Sequence, residues 1–255
     1  MKRSRYILAF LILLLCTDLW AIDPSKVNVV ILGDSNSWIG GDDCSKPKGW
    51  NTWFKRAFAP ASCRSYARSG ATWSHTSATK VNPQENIGII GPDNVISNQV
   101  VRLRQAVASG SQTTPDLIII AAGTNDLMFP RKRPGATAAG SLTDLKTVAG
   151  AMNADLRDLH NFFPKTKIVV LTPIQCVKFT NQALHSLSDL METTARSAGA
   201  SVVRMDRQGV VKRDDELKKK TNTYDGIHTS EAGAKANGEL VASIIKKLLE
   251  PVSKK

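Results

Sequence analysis

Ser35 stands just beyond a short apolar run, Val29-Val30-Ile31-Leu32, within the tripeptide Gly33-Asp34-Ser35. Glycine lets the chain turn sharply there, so the hydroxyl is presented where a strand gives way to a loop. A serine hydroxyl becomes a useful nucleophile beside a general base, itself oriented and charge-stabilised by a carboxylate. Near the other end of the chain, Tyr224-Asp225-Gly226-Ile227-His228 offers both groups. A spacing of three lets Asp225 and His228 reach one cavity, with His228 taking the Ser35 proton and later delivering it to a leaving group. The oxyanion of a tetrahedral intermediate needs hydrogen-bond donors as well. The candidates are the backbone amide of Ser35, that of Gly70, where no side chain blocks close approach, and the side-chain amide of Asn125 in Gly123-Thr124-Asn125-Asp126. Each has a plainer use when taken singly: Gly-Asp-Ser clusters make turns, Gly70 and Gly123 permit them, and Asn125 suits a helix cap.

Residues so far apart meet only if the elements before them bring them together. Apolar runs at Val27 to Leu32, Cys63 to Ala67, Leu117 to Ala122, Ile168 to Leu171 and Val202 to Met205 predict five strands. Helical periodicity predicts helices at Trp50 to Phe58, Val95 to Ala108, Leu142 to Phe163, Asn181 to Ala198 and Ala232 to Leu249. A continuous run such as Leu117-Ile118-Ile119-Ile120 suits a strand buried on both faces, and helical crossovers join parallel neighbours. The expected architecture is α/β, a three-layer α/β/α sandwich around a mostly parallel five-stranded sheet. In open sheets of this kind ligands bind beyond the carboxyl ends of the strands, where the strand order reverses. The polar segments at Ser35, Gly70, Asn125 and His228 are therefore expected to converge. Asp206 to Tyr224, with its Lys218-Lys219-Lys220 run, reads as a solvated connection.

The ordered set Gly33-Asp34-Ser35, Gly70, Gly123-Thr124-Asn125-Asp126 and Asp225-Gly226-Ile227-His228 resembles the four blocks of the SGNH, or GDSL, hydrolases. The resemblance spans nearly all of the chain beyond its first residues. It implies a flavodoxin-like sheet, a Ser35-His228-Asp225 catalytic set and oxyanion donors from Ser35, Gly70 and Asn125. It implies no metal and no organic cofactor. Asn36-Ser37 departs from the leucine or isoleucine and threonine that follow the serine in many members, and the second block reads Ser69-Gly70-Ala71. Neither departure removes a catalytic atom, but both leave the substrate open among lipases, thioesterases, carbohydrate deacetylases and acyltransferases. An α/β-hydrolase elbow would need glycine where Ser37 stands, and no Gly-x-Gly-x-x-Gly follows the first strand.

Trp38, Trp50, Trp53 and Trp73 all fall between the first two blocks. Trp38 and Trp73, each just after a block, are the candidates for a substrate-stacking wall, whereas Trp50 and Trp53, with Phe54, fit the inward side of a helix. Leu127 to Ser141 contains Arg131, Lys132 and Arg133 together with two prolines and two glycines, which suits a basic loop over the site, with Arg131 as a substrate contact. The plainer reading is a solvated surface loop. The expected substrate is a small-molecule or glycan ester, most plausibly an O-acetylated carbohydrate. A lipid ester or thioester, transfer to an acceptor other than water, or glycan binding without turnover are the alternatives.

Lys2, Arg3 and Arg5 precede an apolar run from Tyr6 to Cys16, so Met1 to Ala21 reads as an export signal too short for a comfortable membrane span. Periplasmic or secreted placement is expected, as one domain over residues 22–255. Lipid attachment at Cys16 is less favoured, because leucines rather than small residues precede it. The formal net charge is +12, but no zinc-ligand spacing or basic-aromatic RNA motif accompanies it, so no nucleic-acid partner is expected. Cys44 and Cys63 either close a loop as a disulfide or remain buried thiols like Cys176.

Overall fold

The computed structural model describes residues 23–82, 91–129, 131–132, 135–138 and 140–250. Residues 1–21, expected to be an export signal, and Arg133 of the basic loop lie outside the described residues. Five strands form one parallel sheet: β1 (Asn28–Gly33), β2 (Ser62–Ser65), β3 (Leu117–Ala121), β4 (Lys167–Leu171) and β5 (Ser201–Val203), in the order β2-β1-β3-β4-β5. The helices are α1 (Ser35–Trp38), α2 (Trp50–Phe58), α3 (Ile96–Ala108), α4 (Thr124–Met128), α5 (Val148–Phe162), α6 (Asn181–Ser197), α7 (Met205–Gln208), α8 (Arg213–Lys218) and α9 (Glu231–Leu249).

The strands explain why two helical layers are needed. Successive strand side chains point to opposite faces, so an unbroken apolar run feeds two cores at once. Val30, Leu32, Ile118, Ile120, Ile168 and Val170 join one core with residues of α3, α5 and α6. Their immediate neighbours Val29, Ile31, Leu117, Ile119, Val169 and Leu171 join the other, with Phe54 and Phe58 of α2 and Val241 and Ile245 of α9. Helices α2 and α9 approach closely because α9 carries Gly238, where a Cβ would lie 2.3 Å from the Trp50 carbonyl oxygen. The expected three-layer α/β/α sandwich is the fold observed.

Two sequence expectations need correction. The helix expected from Leu142 starts at Val148, because the Thr147 hydroxyl accepts from the Gly150 amide and caps it there. Gly150 also sits against Asp144, whose carbonyl oxygen would lie 2.1 Å from any added Cβ, so residues 142–147 run as turns beneath the helix. The supposed solvated connection from Asp206 to Tyr224 contains α8 and five buried residues, among them Asp206, Val211 and Glu216. Asp206 is held by the Arg204 guanidinium, His185 Nδ1 and the Thr172 hydroxyl. Burial alone would raise its pKa, but these bonds outweigh burial and bring it to about 2. Charge along a sequence does not report which carboxylates find partners inside.

Candidate active site

The chain leaves β1 for β2 on one side, then crosses to β3 on the other, so the strand order reverses between the adjacent strands β1 and β3. The first and third blocks grow from that point. Gly33 pairs with Ala121 across the sheet, where a Cβ on Gly33 would lie 2.5 Å from the Ala121 carbonyl oxygen. Buried Gln99 fixes this corner from α3, donating to the Gly33 carbonyl and accepting from its amide, both at 2.8 Å. Asp34 then caps α1 through the Asn36 amide, which leaves Ser35 at the first helical position. Burial pushes the Asp34 carboxyl up to about 6, although bonds from the Asn36 amide and the Thr124 side chain favour its charged form. It thereby ties the first block to the third.

Ser35 Oγ lies 2.9 Å from His228 Nε2, and His228 Nδ1 lies 2.6 Å from Asp225 Oδ2. Asp225 Oδ1 also accepts from the Ile227 and His228 amides. Partial burial opposes ionisation of Asp225, but the three bonds from His228 and Ile227 prevail and hold its carboxyl below the usual carboxylate range. A charged carboxylate at Nδ1 keeps the proton on that nitrogen and leaves Nε2 free to accept one from serine. The loop reaches Ser35 because the Thr229 amide donates to Asn36 Oδ1 and the Thr229 hydroxyl to the Lys48 carbonyl. Gly226 has φ +89 and packs on Val177, whose methyl would meet a Cβ at 2.5 Å, so the turn between Asp225 and His228 requires glycine.

The oxyanion candidates are organised by the same economy of contacts. Gly70 has φ +79, a conformation that favours glycine. Asn125 is buried, and its Nδ2 donates one hydrogen to the Ala71 carbonyl at 3.0 Å, which orients the amide and leaves the second hydrogen available. Asp126 beside it accepts from the Trp73 and Ser74 amides and the Ser74 hydroxyl, so the second and third blocks form one unit.

The family model of the GDSL-like lipases and acylhydrolases matches residues 29–241. The chain belongs to this family. As a GDSL hydrolase it is an ester hydrolase, and it shares its fold with solved structures of low identity. A lipase/acylhydrolase from Enterococcus faecalis is 17% identical, with 89% of this chain and 100% of that one covered and a TM-score of 0.52. A carbohydrate acetylesterase from Sinorhizobium meliloti is 18% identical, with 88% and 100% covered and a TM-score of 0.56. A phospholipase A1 from Streptomyces albidoflavus is also 18% identical, with 87% and 99% covered and a TM-score of 0.52. Comparison with curated protein sequences gives no match.

The surroundings of this GDSL hydrolase's serine depart from the sequence reading in one respect. Trp73 has no exposed surface and packs in the core with Ile96, so it offers no face to a substrate. Its amide bonds to Asp126 drag it inward, a tertiary effect that its place after the second block conceals. Trp38 is half-buried and lines an open cleft of about 610 Å³ with Ile39, Lys46 and Arg68. Arg131 is exposed, while its neighbour Lys132 lines a pocket of about 150 Å³ with Gly70, Thr72, Thr76, Pro92 and Phe129. Tyr224 was not singled out from the sequence. Its ring stacks on His228 at a centroid distance of 5.7 Å, remains 49% exposed, and carries Lys48 Nζ 4.8 Å from its centre. Its position next to Asp225 is the signal that could have found it. Among the described residues no group of three or more His, Cys, Asp or Glu could hold a metal, and no helix is long and apolar enough to cross a membrane.

Proposed function

We propose that this hydrolase removes short acyl groups, acetyl foremost, from O-acylated carbohydrate outside the cytoplasm, by way of an acyl-enzyme on Ser35. The observation that carries the chemistry is the hydrogen-bonded chain from Ser35 Oγ through His228 to Asp225. Ser35 Oγ attacks the ester carbonyl carbon while its proton passes to His228 Nε2, and Asp225 stabilises the resulting imidazolium. The Ser35 and Gly70 amides and Asn125 Nδ2 take up the oxyanion. The intermediate collapses as His228 returns the proton to the departing alcohol oxygen. Water then gives a proton to His228 and adds to the acyl carbon, and the second tetrahedral intermediate collapses as His228 returns that proton to Ser35 Oγ and the acid departs.

Two features favour a short acyl group on a sugar. The pocket beside Gly70 holds about 150 Å³, below the roughly 300 Å³ at which drug-sized ligand pockets begin. That size suits a short acyl chain better than a long one. Beside His228, which returns the proton to the departing alcohol, half-exposed Tyr224 offers an aromatic ring and Lys48 a cation. Export follows from the basic and apolar residues of 1–21, and residues 22–255 act as one domain after their removal.

Hydrolysis of p-nitrophenyl acetate and octanoate by the wild type and by Ser35→Ala tests both parts. The acetate should turn over faster than the octanoate, and Ser35→Ala should abolish both. Free acetate from an acetylated glycan supports hydrolysis, whereas a newly acetylated sugar acceptor would make the protein a transferase. Turnover surviving in Ser35→Ala would remove the serine from the mechanism.

A further inference from the structure

We infer that Glu216, on α8 and far from Ser35 in sequence, is a positioning residue for the Asp225-His228 turn. Its side chain is buried, with 1% of the residue exposed. Oε1 accepts from the Thr221 amide at 3.3 Å and the Asn222 amide at 2.8 Å, and Oε2 accepts from the Thr223 amide at 3.1 Å and the Thr223 hydroxyl at 2.5 Å. Both oxygens are thus occupied by the three residues that lead into the catalytic turn. Among the described residues no cation lies within ion-pair distance of this carboxylate. A buried carboxylate without a cation is costly unless donors saturate it, so its placement makes sense where the donors themselves must be fixed.

The restraint continues into the turn. Thr223 Oγ1 donates to Glu216 and accepts from the Gly226 amide at 3.1 Å, so one hydroxyl couples Glu216 to the peptide between Asp225 and His228. Thr223 also pairs with Thr229, and the Tyr224 amide donates to the His228 carbonyl at 3.1 Å, which closes the turn across its base. At the far side the Ser230 hydroxyl donates to the Thr221 carbonyl and the Ser230 amide to the Asn222 carbonyl. Segment 221–230 is therefore a closed loop that Glu216 anchors at residues 221–223 and that presents Asp225 and His228 at its other end. Such a loop sets the distance from His228 Nε2 to Ser35, and a displacement of about 1 Å can cost on the order of 100-fold in rate.

This inference rests on the reading of Ser35, His228 and Asp225 as the catalytic unit. The test compares Glu216→Ala, Glu216→Gln and Thr223→Val, with each rate normalised to the folded fraction read by near-ultraviolet circular dichroism. Glu216→Gln keeps the shape but sets an amide donor against the Thr223 amide, and Thr223→Val removes the hydroxyl that joins Glu216 to Gly226 while leaving Glu216 its three amide donors, so both give a reading even where Glu216→Ala fails to fold. The expected result is a fall in kcat on p-nitrophenyl acetate, about 100-fold for Glu216→Ala and smaller for the other two, with KM within about twofold. In an Asp225→Asn background the same changes should add little, because the group they position is already lost. Unchanged normalised kcat in Glu216→Gln and Thr223→Val, or equal losses in the Asp225→Asn background, would overturn the inference. If Ser35→Ala or Asp225→Asn retained activity, the catalytic reading itself would be the part that failed.

Discussion

Replacing Asp225 with Asn keeps the volume of the side chain and can keep one oxygen for the Ile227 and His228 amides. It changes the atom that faces His228. Asp225 Oδ2 now accepts from Nδ1 at 2.6 Å, whereas the Asn nitrogen would present hydrogens to the same position. The imidazole would then favour the tautomer with its proton on Nε2, which donates to Ser35 Oγ instead of accepting from it. A loss on the order of 10⁴ in kcat is expected, as for the corresponding exchange in a serine protease, or about 5 kcal/mol of barrier at 1.36 kcal/mol per tenfold. KM should change little, because no ground-state contact is removed. The assay is initial-rate hydrolysis of p-nitrophenyl acetate beside a thermal melt, with the melting temperature within a few degrees of wild type. A folded Asp225→Asn protein with more than a tenth of the wild-type kcat would refute the reasoning, since a misoriented base could not support it.

Asn125→Ala removes a proposed oxyanion donor and should lower kcat by about 100-fold to 1000-fold on p-nitrophenyl acetate. It also strips the Ala71 carbonyl of its partner, so a melt should show a loss of about 1 to 3 kcal/mol. Asp155 is buried, with one oxygen lacking a partner, and burial raises its pKa to about 8 despite a bond from Ser97. Its protonated form is thus favoured in the folded state: the contribution is full below the unfolded value of 3.8 and is lost as pH rises through about 8. Urea titrations should show Asp155→Asn gaining on wild type by up to about 1.4 kcal/mol per pH unit between pH 5 and 8, and a constant difference would contradict the assignment. Cys44 and Cys63 are buried with Sγ atoms 3.6 Å apart, while Cys176 lies elsewhere as a third free thiol. Oxidation by a dithiol-exchanging disulfide should join the first two, lower the mass by about two daltons and add about 3 kcal/mol of stability for a loop of this length. Cys44 and Cys63 both titrating as thiols in the unfolded protein after that treatment would exclude the bond.

The layered fold and the meeting of Ser35 with His228 were legible because they rest on local rules. An apolar run too continuous for one face demands two, and a strand end followed by glycine and a polar residue lies where such sheets bind ligands. Burial of individual side chains was not legible, because it depends on partners distant in sequence. Trp73 and Trp38 occupy equivalent places after their blocks, yet Asp126 draws the backbone of one into the core while the other borders an open cleft. Arg131 and Lys132 are adjacent cations, and only chain direction decides that Lys132 lines the pocket beside Gly70. Glu216 sits two residues before the Lys218-Lys219-Lys220 run, where charge pattern suggests solvent. Its burial follows from four donors gathered by the turn it supports. Sequence by itself determined the chemistry and the order of the elements, because residue type and period are properties of the chain. Tertiary structure alone decided which aromatic faces, cations and carboxylates meet the site, because hydrogen bonds between remote segments set the direction of each side chain.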